Sequence, residues 1–244
     1  PVVLLYNIYG IIPSITFALY YPLWYNALFD FHPDHMAMVF LFGFFFLVKE
    51  RRIGVAVILA LLMALVKETF ALQTAACGLY LMLIHRQRLT GILLTVTGLL
   101  YFYLVTHYLH PYLTIWGRAG MDSSAYSWLG HDIKDMIGFI LSHPQVILRE
   151  IVSSNEKRVY LLYTFGALGF IPLLRPGILL VALPILAMSV LSREPIHSSL
   201  MTHYTAGLIA PLVIAFAEGL PTAKSLWAKA GLSKNVFSPL LLVG

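Results

Sequence analysis

The chain has 244 residues, 59% of them hydrophobic and 11% charged, with a mean hydropathy of +0.82 and a formal net charge of +5. A soluble domain carries about a quarter charged residues and could not bury so much apolar surface, so composition excludes a soluble fold and makes lipid the solvent. The basic residues fall in short loops between apolar runs, a pattern of topology determinants rather than of nucleic-acid binding, and the single Cys77 excludes an internal disulfide framework.

In chain order, an uncharged run over residues 2–21 is long enough for one crossing at about 20 residues, with a kink expected at Pro13. Residues 22–35 form the first polar connection, carrying the interfacial aromatics Trp24, Tyr25, Phe29 and Phe31. Within it Asp30, His32, Asp34 and His35 gather two carboxylates and two imidazoles. Pro33 suits the first helical position, which places Asp34 and His35 in the first turn of the next helix. Further crossings are expected over residues 36–48, 53–66, 69–84 and 91–109, separated by Lys49-Glu50-Arg51-Arg52, Lys67-Glu68 and His85-Arg86-Gln87-Arg88.

Residues 111–158 make the long polar segment. In it Ile133, Met136, Ile137, Ile140 and Leu141 recur at i, i+3, i+4, i+7 and i+8, one apolar face of a helix. Pro144 breaks that helix and a second amphipathic piece follows through Ile147 and Ile151; such helices suit the membrane surface. Residues 159–174, 178–191 and 204–217 complete about eight crossings. The expected organisation is all-α: one polytopic transmembrane bundle over 1–219 with external amphipathic helices, a basic connection over 220–238, and the opening of a further crossing at 239–244. A start on Pro1, no secretory signal pattern and an end on that apolar run are what a piece of a longer protein would show.

With the Lys49–Arg52 loop on the cytoplasmic side, alternation also places Arg86, Arg88, Arg175 and the lysines of the tail inside. Every acid but Glu50 and Glu218, and every histidine but His85, then falls at the outer side.

The Asp30, His32, Asp34 and His35 cluster offers the ligand types of a Zn²⁺ or Mn²⁺ site, or a carboxylate general base; its residues also suit a solvated loop with Asp34 complementing a helix N-terminus. The segment over 53–66 rises about 21 Å against a hydrocarbon core of about 30 Å, so Lys67-Glu68 is expected to lie below the interface inside the bundle. Ionisable groups at that depth point to function, or to a helix break with Lys67 snorkelling outward. Arg193-Glu194 and His203-Tyr204 could complete a cleft around Asp30, or serve as interfacial anchors. His107 and His110 read as an ordinary outer helix end, and Asp132 and Asp135 as a solvated helix face. No Gly-rich phosphate loop, HExxH, CxxC or Gly-x-Ser-x-Gly is present.

The strings Asn26-Ala-Leu-Phe-Asp-Phe-His-Pro-Asp34, Val66-Lys67-Glu68 and Gly78-Leu-Tyr80, then Leu141-Ser-His-Pro144, Gly166-x-x-Gly169-Phe170-x-Pro172-Leu173-Leu174 and His203-Tyr204, resemble a prokaryotic membrane family catalogued as domain of unknown function 2079. That family is more distantly similar to the C superfamily of membrane glycosyltransferases, which move a sugar from a polyprenyl-phosphate carrier to an acceptor at the outer face. They use an acid in the first external loop, often with a divalent metal. The resemblance implies a multi-pass protein of the prokaryotic cytoplasmic membrane with an external site. Asp30, or a carboxylate upstream of Pro1, would be the base, and Lys67 and Arg193 would contact phosphate.

Taken together, the expected catalytic residues are Asp30, Asp34 and Glu68. Substrate binding is expected at His32, His35, Lys67, Arg193, His203 and Tyr204, and a divalent metal, Mg²⁺ or Mn²⁺, at Asp30, His32 and His35. The expected partners are membrane lipid and a polyprenyl-phosphate sugar donor. A transporter or channel with Lys67-Glu68 in its pathway, or a metal-binding membrane protein, are the other readings. Polar residues collected at one end favour an interfacial site over a through-path.

Overall fold

The computed structural model describes residues 1–28, 32–113 and 123–231. Asp30 and the expected crossing at 239–244 therefore lie outside the described residues. Among the described residues every regular element is helical.

The first apolar run does not form one straight rod. Helix α1 (Val2–Tyr9) and helix α2 (Ile11–Leu19) meet at Gly10, whose φ of +82° is open to glycine and strained for other residues. The chain folds back there, and the Ser14 hydroxyl donates to the Val2 carbonyl at 3.4 Å. Pro13 sits in the first turn of α2, where its missing N–H removes no helical hydrogen bond, so the break falls at Gly10 and not at Pro13. Helix α3 (Tyr21–Leu28) follows.

Four helices match apolar runs closed by charge: α4 (Asp34–Lys49), α5 (Ile53–Ala64), α6 (Glu68–Leu83) and α7 (Arg88–Leu104). Arg51 and Arg86, both at φ +58°, turn the chain between them. A π turn over Val105–Leu109 carries α7 into the short α8 (His110–Leu113). Beyond a short α9 (Ser123–Tyr126), the polar segment forms α10 (Ile133–Ser142) and α11 (Pro144–Ser153). Asp132 caps α10 by accepting from the Asp135 N–H at 2.8 Å, and Pro144 opens α11. Neither helix buries a residue, and Ile137, Leu141, Leu148 and Val152 are exposed along them.

Helix α12 (Asn155–Gly166) is capped by Ser154, which accepts from the Lys157 N–H. The run expected to continue to Leu174 stops there, because Gly169 and Phe170, both at φ +57°, turn the chain into a 3₁₀ segment over Ile171–Leu174. Helix α13 (Pro176–Leu191) and helix α14 (Ala206–Lys229) complete the described chain. Helix α14 runs well past Ala217, so the basic connection begins as helix; Ala223, Lys224, Leu226, Ala228 and Lys229 are strong helix formers.

Among the described residues two helical stretches are long and apolar enough to cross a membrane, Arg88–Leu109 with 22 residues and His203–Lys229 with 27. Ile53–Ala64 and Pro176–Leu191 are shorter apolar helices. The second long stretch is the buried axis of the bundle: from Ala206 to Ala217 every residue of α14 is buried, against α4, α13 and α2.

Lipid tails are as apolar as Leu, so helix association relies on close packing and on interhelical hydrogen bonds. A Cβ at Gly98 of α7 would lie 2.6 Å from the Ala71 carbonyl of α6, and one at Gly91 the same distance from the Gly78 carbonyl. Fully buried Gln73 of α6 donates to the Val181 carbonyl of α13 at 3.1 Å and the Gly207 carbonyl of α14 at 2.6 Å. These contacts join α7 to α6, and α6 to α13 and the start of α14.

Candidate functional site

Asp34 begins α4, where a carboxylate complements the helix dipole. It is also 2% exposed, and a carboxylate that buried requires partners. Lys67 Nζ stands 3.4 Å from Oδ2, His32 Nδ1 3.0 Å from Oδ1, and His203 Nε2 3.9 Å from Oδ2. The His32 and His203 rings are stacked, with centroids 3.6 Å apart and 11° between planes.

The three partners reach Asp34 from different elements. Short α5 ends at Ala64, and Lys67 follows in extended backbone just before α6, which drops its side chain among the helix ends. Its ammonium also lies 5.0 Å above the Tyr204 ring, a cation–π contact. His203 and Tyr204 come from the 3₁₀ turn His203–Thr205 that leads into α14. Asn26 of α3 donates to the Thr205 hydroxyl and pins that turn from the other side.

Asp34, Lys67 and Glu68 share a cavity of ≈ 180 Å³ with Tyr126, His197 and Tyr204. At about 30 Å³ per water this is roughly six water volumes. His197 packs edge-on to Tyr204 at 4.6 Å and its Nδ1 lies 2.7 Å from the Ser192 hydroxyl. His110 Nε2 approaches Glu68 Oε2 at 3.9 Å. The Pro195–Ser198 3₁₀ turn divides this cavity from a larger open groove of ≈ 740 Å³ lined by Tyr21, Tyr25, Tyr160 and Tyr163.

Of the residues singled out from sequence, the structure brings together Asp34, His32, Lys67, Glu68, His203 and Tyr204. Asp30 lies outside the described residues. His35 adjoins the group through His32: its Nδ1 accepts from the His32 N–H at 3.4 Å, and its Nε2 is buried with no hydrogen-bond partner. Arg193 belongs elsewhere, 3.6 Å from Glu150 of α11 and 4.8 Å above the Trp128 ring, where Lys157 joins the same carboxylate at 3.4 Å. His110 and His197 were not legible as site residues. Each is a lone histidine near a helix end, and only the fold sets it beside Glu68 or Tyr204.

The donor set suited to a cation is His32, Asp34 and His203, whose ligand atoms all lie within 4.8 Å of one another. Among the described residues this set shares His32 with the expected ligands and adds Asp34 and a histidine from the far end of the chain; Asp30 lies outside the described residues.

At the opposite end the contacts are different in kind. The Tyr9 hydroxyl donates to Glu218 Oε1 at 2.8 Å, Arg175 donates twice to the Glu218 carbonyl, and Lys49 lies 3.9 Å above the Tyr9 ring. These tie α1, α4 and α13 to α14.

Among known sequences, a family described as "Predicted membrane protein (DUF2079)" matches residues 10–240. No curated protein and no solved structure matches the chain.

Proposed function

We propose that this chain, which belongs to the DUF2079 family of predicted membrane proteins, is a membrane-embedded glycosyltransferase that takes a sugar from a polyprenyl-phosphate carrier. The observation that carries the reading is the pairing of Lys67 with buried Asp34 beside Glu68 on one cavity. Asp34 holds the ammonium, which then offers its remaining protons to the phosphate of the carrier. Glu68 faces the same space as a carboxylate acceptor, with His110 Nε2 3.9 Å from its Oε2.

In the proposed step an acceptor hydroxyl oxygen attacks the anomeric carbon of the carried sugar. The bond from that carbon to the phosphate oxygen breaks, and the polyprenyl phosphate leaves with the electron pair, its charge held by Lys67. Glu68 takes the hydroxyl proton. Asp34 is the positioning group of this scheme, because its Oδ2 holds the Lys67 ammonium. Asp30 is the second carboxylate proposed as base, on sequence grounds.

The cavity suits one sugar unit; the polyprenyl chain would stay in lipid along the bundle. The tyrosine-lined groove across the Pro195–Ser198 turn would take the acceptor, aromatic faces being good partners for sugar rings. The same reading assigns about eight crossings, and places the Asp34 end outside a prokaryotic cytoplasmic membrane, since Lys49, Arg51, Arg52, Arg86, Arg88 and Arg175 all lie at the other end. A transport path would need polar groups through the depth of the bundle, whereas the axis of α14 from Ala206 to Ala217 is apolar and buried.

The test is transfer of labelled sugar from polyprenyl-phosphate donors to membrane acceptors by the purified protein. Glu68→Gln is expected to lower turnover by about 10²-fold or more while the carrier still binds. Turnover unchanged in Glu68→Gln and in Asp30→Asn would overturn the assignment of the base, and absence of transfer with every donor would overturn the function.

A further inference from the structure

We infer that His32, Asp34 and His203 form a binding site for a divalent transition metal of the zinc type, and that the ion displaces the Lys67 ammonium from Asp34. Two imidazoles and one carboxylate favour Zn²⁺ and its neighbours over Mg²⁺ or Ca²⁺, which prefer all-oxygen shells. Three protein donors with a position left open is the pattern of a zinc ion that can also hold a water or a substrate oxygen. The site does not depend on the sugar-transfer reading.

Geometry supports it. A tetrahedral ion with bonds of about 2.1 Å separates its ligand atoms by about 3.4 Å. Here His32 Nδ1 and Asp34 Oδ1 are 3.0 Å apart, His203 Nε2 and Asp34 Oδ2 3.9 Å, and the widest separation is within 4.8 Å. The donor atoms therefore lie within about 1.5 Å of the spacing that one ion requires. The Asp34 and His203 side chains are 4% and 11% exposed while His32 is 34% exposed, so the donors are sheltered and an ion has an entry past His32. Asp34 is fixed on α4 and His203 on the turn held by Asn26 and Thr205, so two distant parts of the chain converge on one point.

Two features of the apo arrangement identify what changes on binding. The Lys67–Asp34 contact of 3.4 Å is long beside the usual 2.7–2.9 Å of a charge-assisted hydrogen bond. Lys67 also borders the cavity and the Tyr204 ring, which gives the displaced ammonium a place to go. The two imidazoles are stacked almost parallel, and one ion cannot lie in both ring planes. Binding must therefore turn one ring out of the stack. His203 abuts Tyr204 at a centroid distance of 4.3 Å, so that turn would be felt by the tyrosine.

Lys67 thus competes with the metal for Asp34, which gives the proposal a signature that a merely structural cluster would lack. The whole protein in detergent, stripped with a chelator, is titrated with Co²⁺ as the spectroscopic probe. The expected result is one Co²⁺ per chain with the intense visible absorption of a four- or five-coordinate ion, displaced by Zn²⁺ and not by Mg²⁺. His32→Ala and His203→Ala are expected to weaken Co²⁺ binding by on the order of 100-fold. Lys67→Met is expected to tighten it by about tenfold or more, since a unit charge is removed from beside the ion. His107→Ala, an exposed ring stacked on Tyr103, should leave the titration unchanged. Wild-type protein that gives no such absorption overturns the proposal. So does undiminished binding in His203→Ala, or weaker binding in a Lys67→Met protein that keeps its helical signal and elution profile. Because the readout is absorbance, Co²⁺ binding without sugar transfer would leave this site standing and remove only the transferase reading.

Discussion

Replacing Lys67 by Met keeps the length and apolar stem of the side chain and removes the full cation nearest a carboxylate that is 2% exposed. Removing one partner of a fully buried ion pair costs about 3–5 kcal/mol, since the other charge is left uncompensated. The present pair should fall below that range, at about 2 kcal/mol. The Lys67 side chain is 24% exposed, which screens the interaction, and the imidazoles of His32 and His203 remain beside Asp34. Asp34→Asn in the Lys67→Met background removes the stranded charge, so the double variant should regain most of the loss. The assay is equilibrium unfolding of the metal-free protein in mixed detergent, followed by helical circular dichroism, for wild type, both single variants and the double variant. A Lys67→Met protein within about 0.5 kcal/mol of wild type would refute the reasoning, as would a double variant whose loss equals the sum of the singles.

Three other outcomes follow from the packing and the surface. Gly98→Leu places a side chain where even a Cβ lies 2.6 Å from the Ala71 carbonyl, so α6 and α7 must part; a loss of about 1–3 kcal/mol is expected in the same unfolding assay. Gln73→Ala removes two interhelical hydrogen bonds and leaves a cavity between α6, α13 and α14, for a loss of about 2–4 kcal/mol, and a neutral result would show that these bonds do not organise the bundle. The third concerns Glu156 in the first turn of α12. Its own backbone N–H and the Ser154 hydroxyl donate to the carboxylate and hold its pKa below the usual range. A carboxyl depressed in the folded state contributes stability that is present above its unfolded pKa of about 4.3 and is lost as pH falls through the folded value. Ser154→Ala should therefore move the Glu156 titration, read by ¹³C-carboxyl NMR, back up toward the ordinary value.

Much of the helical framework was legible because its signals are local. An apolar run closed by Lys49–Arg52, by Lys67-Glu68 or by His85–Arg88 marks a helix and its end, and α4, α5 and α6 fall within a few residues of the expected limits. The breaks inside apolar runs were not. Pro13 looks like the natural kink, but a proline in a first turn is harmless, and a lone glycine inside an apolar run does not reveal whether its φ is positive. The turn through Gly169 and Phe170 is hidden for the same reason.

The site divides along the same line. Asp34 and Lys67 stood out as charges where an apolar helix begins, and the structure pairs them. That His203 reaches Asp34 was visible only as residue type. The ring stack with His32, the approach of His110 to Glu68, and the placement of Arg193 on Trp128 all depend on how α14, α8 and α11 pack, which no periodicity encodes.

In the proposed transferase, Lys67 at the cavity receives the phosphate of a polyprenyl carrier. Native mass spectrometry of the protein released gently from its own membrane tests it most directly. The account predicts a co-purifying polyprenyl-phosphate species on wild type that is lost in Lys67→Ala. A protein that carries ordinary phospholipid alone, or one whose polyprenyl phosphate persists in Lys67→Ala, would contradict it.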